Sequence, residues 1–190
     1  MRYRLDSSWR RAGKVVIAGS PLRLFRMSTG GAQVIAMVEA GEAPDTPSIH
    51  QLLDRFVDAG ALHPEPDDGP FTPADVTVVV PAFGPLPDGF LDSLGDLRTV
   101  IVDDASPTPI RVMPRLRTTL LRHDTNRGPG AARNTGLDAV TTPLVAFVDT
   151  DVTLPPGWLE PLLAHFADDR VALVAPRVAG APGGSWLAGF

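Results

Sequence analysis

The sequence predicts an α/β protein in two parts: a small winged-helix-like α+β domain over residues 1–63, then an open, mostly parallel sheet with helices over residues 76–190. Three observations predict it. The window from Pro64 to Asp75, PEPDDGPFTPAD, holds four prolines and four acidic residues, so it reads as an extended linker that cannot support a helix or a central strand. Ahead of it, strand-like runs come first and helix-like runs second. Behind it, short apolar runs alternate with helix-like segments, the pattern of a parallel sheet buried on both faces.

In the first part, Val15 to Ile17 and Leu22 to Phe25 read as two strands joined at Gly-Ser-Pro in a hairpin. Ser28 or Thr29 is placed to cap a helix running to about Ala40. A second helix is expected where Ser48 and Gln51 form a capping-box pattern and Ile49, Leu52, Leu53, Phe56 and Val57 share one face. Gly60 is its natural stop. In the second part the apolar runs are Val76 to Val80, Val100 to Val102, Leu120 with Leu121, Leu144 to Val148, and Val171 to Val174. Helices are expected near Gly130 to Val140 and Trp158 to Phe166.

Composition excludes several classes of function. The net charge of −5 and pI of about 5.2 argue against nucleic acid as a partner of the whole chain. Residues 1–63 carry eight Arg/Lys against six Asp/Glu, and residues 76–190 nine against twelve, so the halves differ only mildly. Without cysteine there is no disulfide framework and no zinc-thiolate site. Lys14 is the single lysine and lies far from every motif, which excludes a P-loop, a Schiff-base enzyme and a phosphoacceptor receiver domain. No run approaches the roughly 20 apolar residues that span a bilayer. MRYRLDSSWRR lacks the apolar core of a signal peptide. The expectation is a soluble, cytoplasmic chain, with membrane association of a longer protein left open.

Polar motifs sit where the apolar runs end. The first run ends in Pro81-Ala82-Phe83, and the second in VDDAS with Asp103 and Asp104. The third is followed by NRGPGAARNTG from Asn126, and the fourth by Asp149 and Asp151 in VDTD. Taken singly, each has a plain reading. Asp104 could cap a turn, Asn126 to Gly128 could be a turn, the glycines could serve close packing, and Asp151 could be solvated. Taken together they lie at the carboxyl ends of successive strands, where open parallel sheets bind ligands. Hard divalent cations such as Mg2+ take one or two carboxylates and complete their shell with phosphate and water. Arg133 offers a guanidinium fork suited to phosphate or carboxylate. The four histidines, His50, His63, His123 and His165, are scattered and read as surface or core residues.

As a set, VVVPAF, VDDAS, NRGPGAARNTG and VDTD resemble a family 2 glycosyltransferase of the GT-A fold, from about Asp75 onward. The resemblance implies that Pro81, Ala82 and Phe83 border a nucleotide pocket and that Asp104 is the uracil-binding aspartate. It implies a base-side or diphosphate-side role for Arg133. It makes Asp149 a ligand toward ribose and metal and Asp151 the direct ligand of Mn2+ or Mg2+. In the first part, YRLDSSWRR, VIAGSPLRLFRMSTGGA and HQLLDRFVDAGALHP resemble the peptide-recognition domain related to the pyrroloquinoline-quinone peptide chaperone. The fusion is similar to the glycosyltransferases of the mycofactocin system. That resemblance implies a UDP-sugar donor, UDP-glucose by preference, and an acceptor that is a peptide or a peptide-derived redox cofactor.

The chain departs from the family pattern in two places. SPTPIRVMPRLR between VDDAS and Leu120 leaves little room for the usual helix. The family's catalytic base is expected beyond Phe190, so the chain reads as the first part of such a domain, inactive by itself, with Asp168 and Asp169 in a turn. Two rivals come from other classes: a peptide-binding module with a partial nucleotide site, and a winged-helix regulator.

Overall fold

A computed structural model describes residues 2–42, 46–113 and 117–176. They form two compact units, one made of Met1–Gly69 with Ala164–Val174 and one built on Pro70–Leu163.

In chain order the first unit contains β1 (Arg2–Leu5), β2 (Arg10–Ala12), β3 (Val15–Ala18), β4 (Arg23–Arg26), α1 (Thr29–Glu39), α2 (Pro47–Val57) and β5 (Leu62–Glu65). It is an α+β unit. β2, β3 and β4 form an antiparallel sheet in that order, and β1 pairs antiparallel with β5. The period of two sends Val16 and Ala18 inward and leaves Ile17 exposed. Val16 faces Phe25 across the hairpin, and Phe25 stacks on Phe56 of α2 with ring centroids 4.3 Å apart. Leu53 and Phe56 are buried, and Ile49, Leu52 and Val57 pack around them as the helical spacing requires. Ser28 caps α1, its Oγ accepting the Gly31 N–H at 3.1 Å.

Three expectations need correction here. α2 does not begin with a Ser48 capping box: its N-cap is Thr46, because the fixed φ of Pro47 suits the first helical position. The stretch from Pro64 is not wholly linker, since Pro64 and Glu65 complete β5 against Tyr3 and Arg2. Proline is tolerated there because an edge strand has one unbonded side. Nor is the stretch wholly extended. Pro73–Asp75 form one 3-10 turn, and Asp75 accepts the backbone N–H and hydroxyl of Thr72, both at 2.8 Å.

The second unit contains β6 (Val76–Ala82), α3 (Phe90–Ser93), β7 (Arg98–Asp103), β8 (Thr118–Arg122), α4 (Pro129–Asp138), β9 (Leu144–Phe147) and α5 (Glu160–Ala164). The four strands are parallel in the order β8-β7-β6-β9. Chain order reverses between β6 and its neighbours, which opens a crevice at their carboxyl ends. β6 is buried throughout, as a central parallel strand should be. Val78 and Val80 pack with Phe90, Leu94 and Ile101 on one face, while Val79 packs with Val100, Val102 and Ala132 on the other. No helix forms over 104–113. The apolar run Val171 to Val174 is not a strand. It joins no sheet and leaves Leu173 exposed, after a turn in which the Asp168 carboxylate accepts from Arg170 Nε and Nη2.

α4 lies close on β6 and β7 because Gly136 has no side chain. A Cβ there would fall 2.4 Å from Val79 Cγ1 and 3.3 Å from Val102 Cγ2. Gly136→Ala is therefore expected to destabilise the chain by about 1–3 kcal/mol through overpacking, despite alanine's better helix propensity. Gly130→Ala on the same helix, where a Cβ meets nothing within 4 Å, should not destabilise it. Urea denaturation of both variants checks this, and equal midpoints would contradict the packing argument.

Candidate active site

Each strand of the parallel sheet hands its last residues to a loop on the same edge, and backbone bonds stitch those loops together. Asp104 N–H donates to the Ala82 carbonyl at 2.8 Å. Gly84 N–H donates to Ser106 Oγ at 2.8 Å, joining the loop after β6 to the loop after β7. His123 N–H donates to the Asp103 carbonyl, which adds the end of β8.

The two carboxylates at the end of β7 point to different partners. Asp103 is fully buried. Its Oδ1 accepts the Ser106 N–H at 2.9 Å, and its Oδ2 accepts the Ile110 N–H at 3.0 Å together with the Arg122 guanidinium. These bonds hold Ala105 at φ +60°, a left-handed conformation that a residue with a Cβ rarely adopts. Asp104 is 3% exposed. Its Oδ1 accepts the Arg127 N–H at 2.9 Å and His123 Nδ1 at 2.7 Å, and its Oδ2 accepts the Gly128 N–H at 2.7 Å. Burial by itself would raise both carboxyl pKa values. Hydrogen bonds from Ser106, Ile110 and Arg122 to Asp103, and from Arg127, His123 and Gly128 to Asp104, outweigh it and hold both below the ordinary value.

The other residues singled out from the sequence are distributed unevenly. Pro81 and Ala82 are buried within β6, so only Phe83, 60% exposed, presents a side chain at this edge. Arg133 on α4 reaches the end of β9, where its Nη2 donates to Asp149 Oδ1 at 2.5 Å. Asp151 lies two residues on, exposed in the following turn. The structure thus joins Ala82 to Asp104 and Arg133 to Asp149. Asp104 spends its carboxylate on the loop before α4, and three of its roughly four acceptor positions are filled. Sequence reasoning assigned no role to Asp103, Ser106, Arg122, His123 or Thr135. The position of His123 directly after β8 is the one signal that could have drawn attention to it.

A cleft of about 480 Å3 lies at the other edge of the sheet. Its lining includes Ala74, Leu97 and Arg117, which precede β6, β7 and β8, and Leu154 and Trp158. None of the site residues singled out from the sequence, and neither Asp103 nor His123, lines it.

Residues 89–189, more than half of the chain, match the model of the family described as glycosyl transferase family 2. The chain belongs to that family. It is 40% identical over 173 residues to the pre-mycofactocin glycosyltransferase of Mycobacterium tuberculosis, covering 87% of this chain and 36% of that protein. It is 37% identical over 103 residues to the succinoglycan biosynthesis protein ExoW of Rhizobium meliloti, covering 45% and 32%. Over 57 residues it is 40% identical to human probable polypeptide N-acetylgalactosaminyltransferase 8, covering 30% and 9%. The chain spans about a third of the length of the mycobacterial and rhizobial relatives. The mycobacterial likeness extends well beyond the residues matched to family 2.

The donor chemistry of this edge fits a hard divalent cation. Asp149 and Asp151 are exposed carboxylates one residue apart, and among the described residues no three His, Asp or Glu side chains gather into a site that would complete a shell. Two carboxylates with the remainder supplied by a phosphorylated ligand is a common arrangement for Mg2+. Among the described residues no helix is long and apolar enough to cross a membrane.

The depressed carboxyls make a signed prediction. Their stabilisation is present above the unfolded value of about 3.9 and is lost as pH falls through the lower folded values. Asp103→Asn should cost about 3 kcal/mol at pH 7, since it weakens a buried carboxylate with three donors. The gap from wild type should narrow steadily below pH 4 in denaturant titrations. A gap unchanged between pH 7 and pH 3 would contradict the assignment.

Proposed function

We propose that residues 76–190 bind a UDP-sugar, with UDP-glucose as donor, at the carboxyl edge of the sheet, and that the whole protein transfers the hexose to a peptide-derived redox cofactor. The supporting observation is the Arg133–Asp149 pair at the end of β9, beside the strand-order reversal, in a chain of family 2. In this reading Phe83, with the Pro81-Ala82 backbone behind it, borders the base, and the remaining acceptor position of Asp104 serves the uracil imide. Arg133 takes the diphosphate. Asp149 turns to ribose and metal, and Asp151 is the direct ligand of Mn2+ or Mg2+. When bound, the ion neutralises charge that grows on the departing diphosphate.

The transfer forms a bond from an acceptor hydroxyl oxygen to the anomeric carbon and breaks the bond from that carbon to the diphosphate oxygen. The hydroxyl proton needs a base, typically worth about 10²–10⁴ in rate. No residue at this edge is assigned to it. Asp104 is occupied by the loop before α4, and Asp149 and Asp151 are assigned to donor and metal.

The first 63 residues are read as a winged-helix-like peptide-recognition domain, with the linker expected over 64–75 starting only after β5 ends at Glu65. Among the described residues β4 has no strand on its outer side. A cleft of about 440 Å3 borders it, floored by Phe25, Met27, Val34, Ile49, Leu52 and Phe56 with Arg26 and Arg55 at its rim. An open sheet edge beside apolar pockets suits an extended peptide, main-chain pairing giving affinity and pockets giving selectivity. The name of the mycobacterial relative, pre-mycofactocin glycosyltransferase, favours this acceptor. The setting proposed for the protein is cytoplasmic.

Calorimetry with UDP tests the donor reading. Wild type should bind more tightly with Mn2+ than without, Asp151→Asn should lose that gain, and Arg133→Ala should bind about tenfold more weakly as a charge-assisted bond is removed. Equal affinity in every condition would overturn the metal and donor assignments together. In the same samples the system's precursor peptide should bind residues 1–63. A response to duplex DNA at physiological salt, with none to peptide, would replace that part of the reading with a regulator.

A further inference from the structure

His123 is buried between two elements and makes a hydrogen bond from each ring nitrogen. Nδ1 lies 2.7 Å from Asp104 Oδ1 at the end of β7, and Nε2 lies 2.9 Å from Thr135 Oγ1 on α4. Asp104 is held in its charged form, so its oxygens only accept, and the proton of this bond must sit on Nδ1. Nε2 shares the second bond with the Thr135 hydroxyl. The ring thereby joins the ends of β7 and β8 to the second turn of α4.

The same Asp104 carboxylate takes the N–H groups of Arg127 and Gly128, the two residues before Pro129 opens α4. Gly128 sits at φ +84°, a conformation that favours glycine, so the loop bends sharply where it meets the carboxylate. Asp104 has freedom about two side-chain torsions, and the His123 bond removes it. Rotating the carboxylate away would release both N–H groups and the start of the helix that carries Arg133.

From this geometry we infer that His123 is a positioning residue of the donor site: through Nδ1 it fixes the Asp104 carboxylate, which sets loop 126–128 and hence the placement of Arg133. The inference rests on the donor reading above. His123 need not touch the nucleotide.

Two amide replacements separate positioning from bulk stability, because each keeps one side of the ring's bonding. In His123→Asn the amide nitrogen takes the place of Nδ1 and keeps the bond to Asp104. In His123→Gln the amide reaches the place of Nε2 and keeps only the bond to Thr135. Both variants lose one buried hydrogen bond and part of the ring, so their melting temperatures should fall together. Their affinity for UDP with Mn2+ should not: about tenfold weaker for His123→Gln and within about twofold of wild type for His123→Asn. Hydrogen exchange provides a readout without nucleotide, in which the Arg127 and Gly128 amides should exchange faster in His123→Gln and at near wild-type rates in His123→Asn.

Affinities that follow the melting temperatures, equal in the two variants, would overturn the inference and leave His123 as a packing residue. Unchanged exchange at Arg127 and Gly128 in His123→Gln would overturn it as well. Failure of the wild-type chain to bind UDP would bring down the donor reading instead, and the exchange result would still decide whether His123 controls the loop.

Discussion

Asp103 and Asp104 are consecutive residues at the end of a parallel strand, and the alternation of a strand sends their carboxylates to different places. Asp103 gathers its own loop, Ser106 and Ile110, and the guanidinium of Arg122 on the neighbouring strand. Asp104 gathers the loop that opens α4 and the ring of His123. Two further features of this edge hang on that division. The loop after β6 is fastened through Ser106, and the helix that brings Arg133 to Asp149 starts from the loop that Asp104 holds.

Burying two adjacent carboxylates is costly unless each finds enough donors. Here each accepts at least three hydrogen bonds, and no buried side-chain nitrogen or oxygen among the described residues lacks a partner. The acidic residues at the end of β9 follow the opposite rule. Asp149 and Asp151 are exposed, and the Arg133–Asp149 pair is of the kind worth only about 0–1 kcal/mol in water. Such a pair opens at little cost when a phosphate or a cation competes for its members. The edge therefore combines a rigid interior, in which charge is spent on structure, with a solvated rim where charge remains available to a ligand.

Much of this was legible from the sequence. The hairpin of Val15 to Phe25, a helix cap at Ser28 or Thr29 and the apolar face of α2 follow from local periodicity and turn chemistry. The location of Asp104, Arg133, Asp149 and Asp151 along one edge follows from apolar runs that end in polar residues. What was hidden depends on tertiary partners. The start of α2 is the exception, since Pro47 is itself a local signal for the first helical position and places the cap at Thr46, and the Ser48 pattern was read ahead of it. Val171 to Val174 has the composition of a strand but no strand to pair with. Pro64 looks like a linker residue until β1 is found beside it. His123 is separated by 19 residues from Asp104 and by 12 from Thr135, and only the fold brings the three together.

The central claim is that the ligand edge of this family 2 domain is the carboxyl edge, organised by the Asp103–Asp104 division, and not the cleft of about 480 Å3 at the amino edge. Amide chemical-shift mapping of the 15N-labelled chain with UDP and Mg2+ tests it most directly. Shifts are expected only at residues 83–84, 104–106, 126–133 and 149–151. Shifts concentrated at residues 92–97 and 154–160, with the carboxyl-edge loops unmoved, would contradict it.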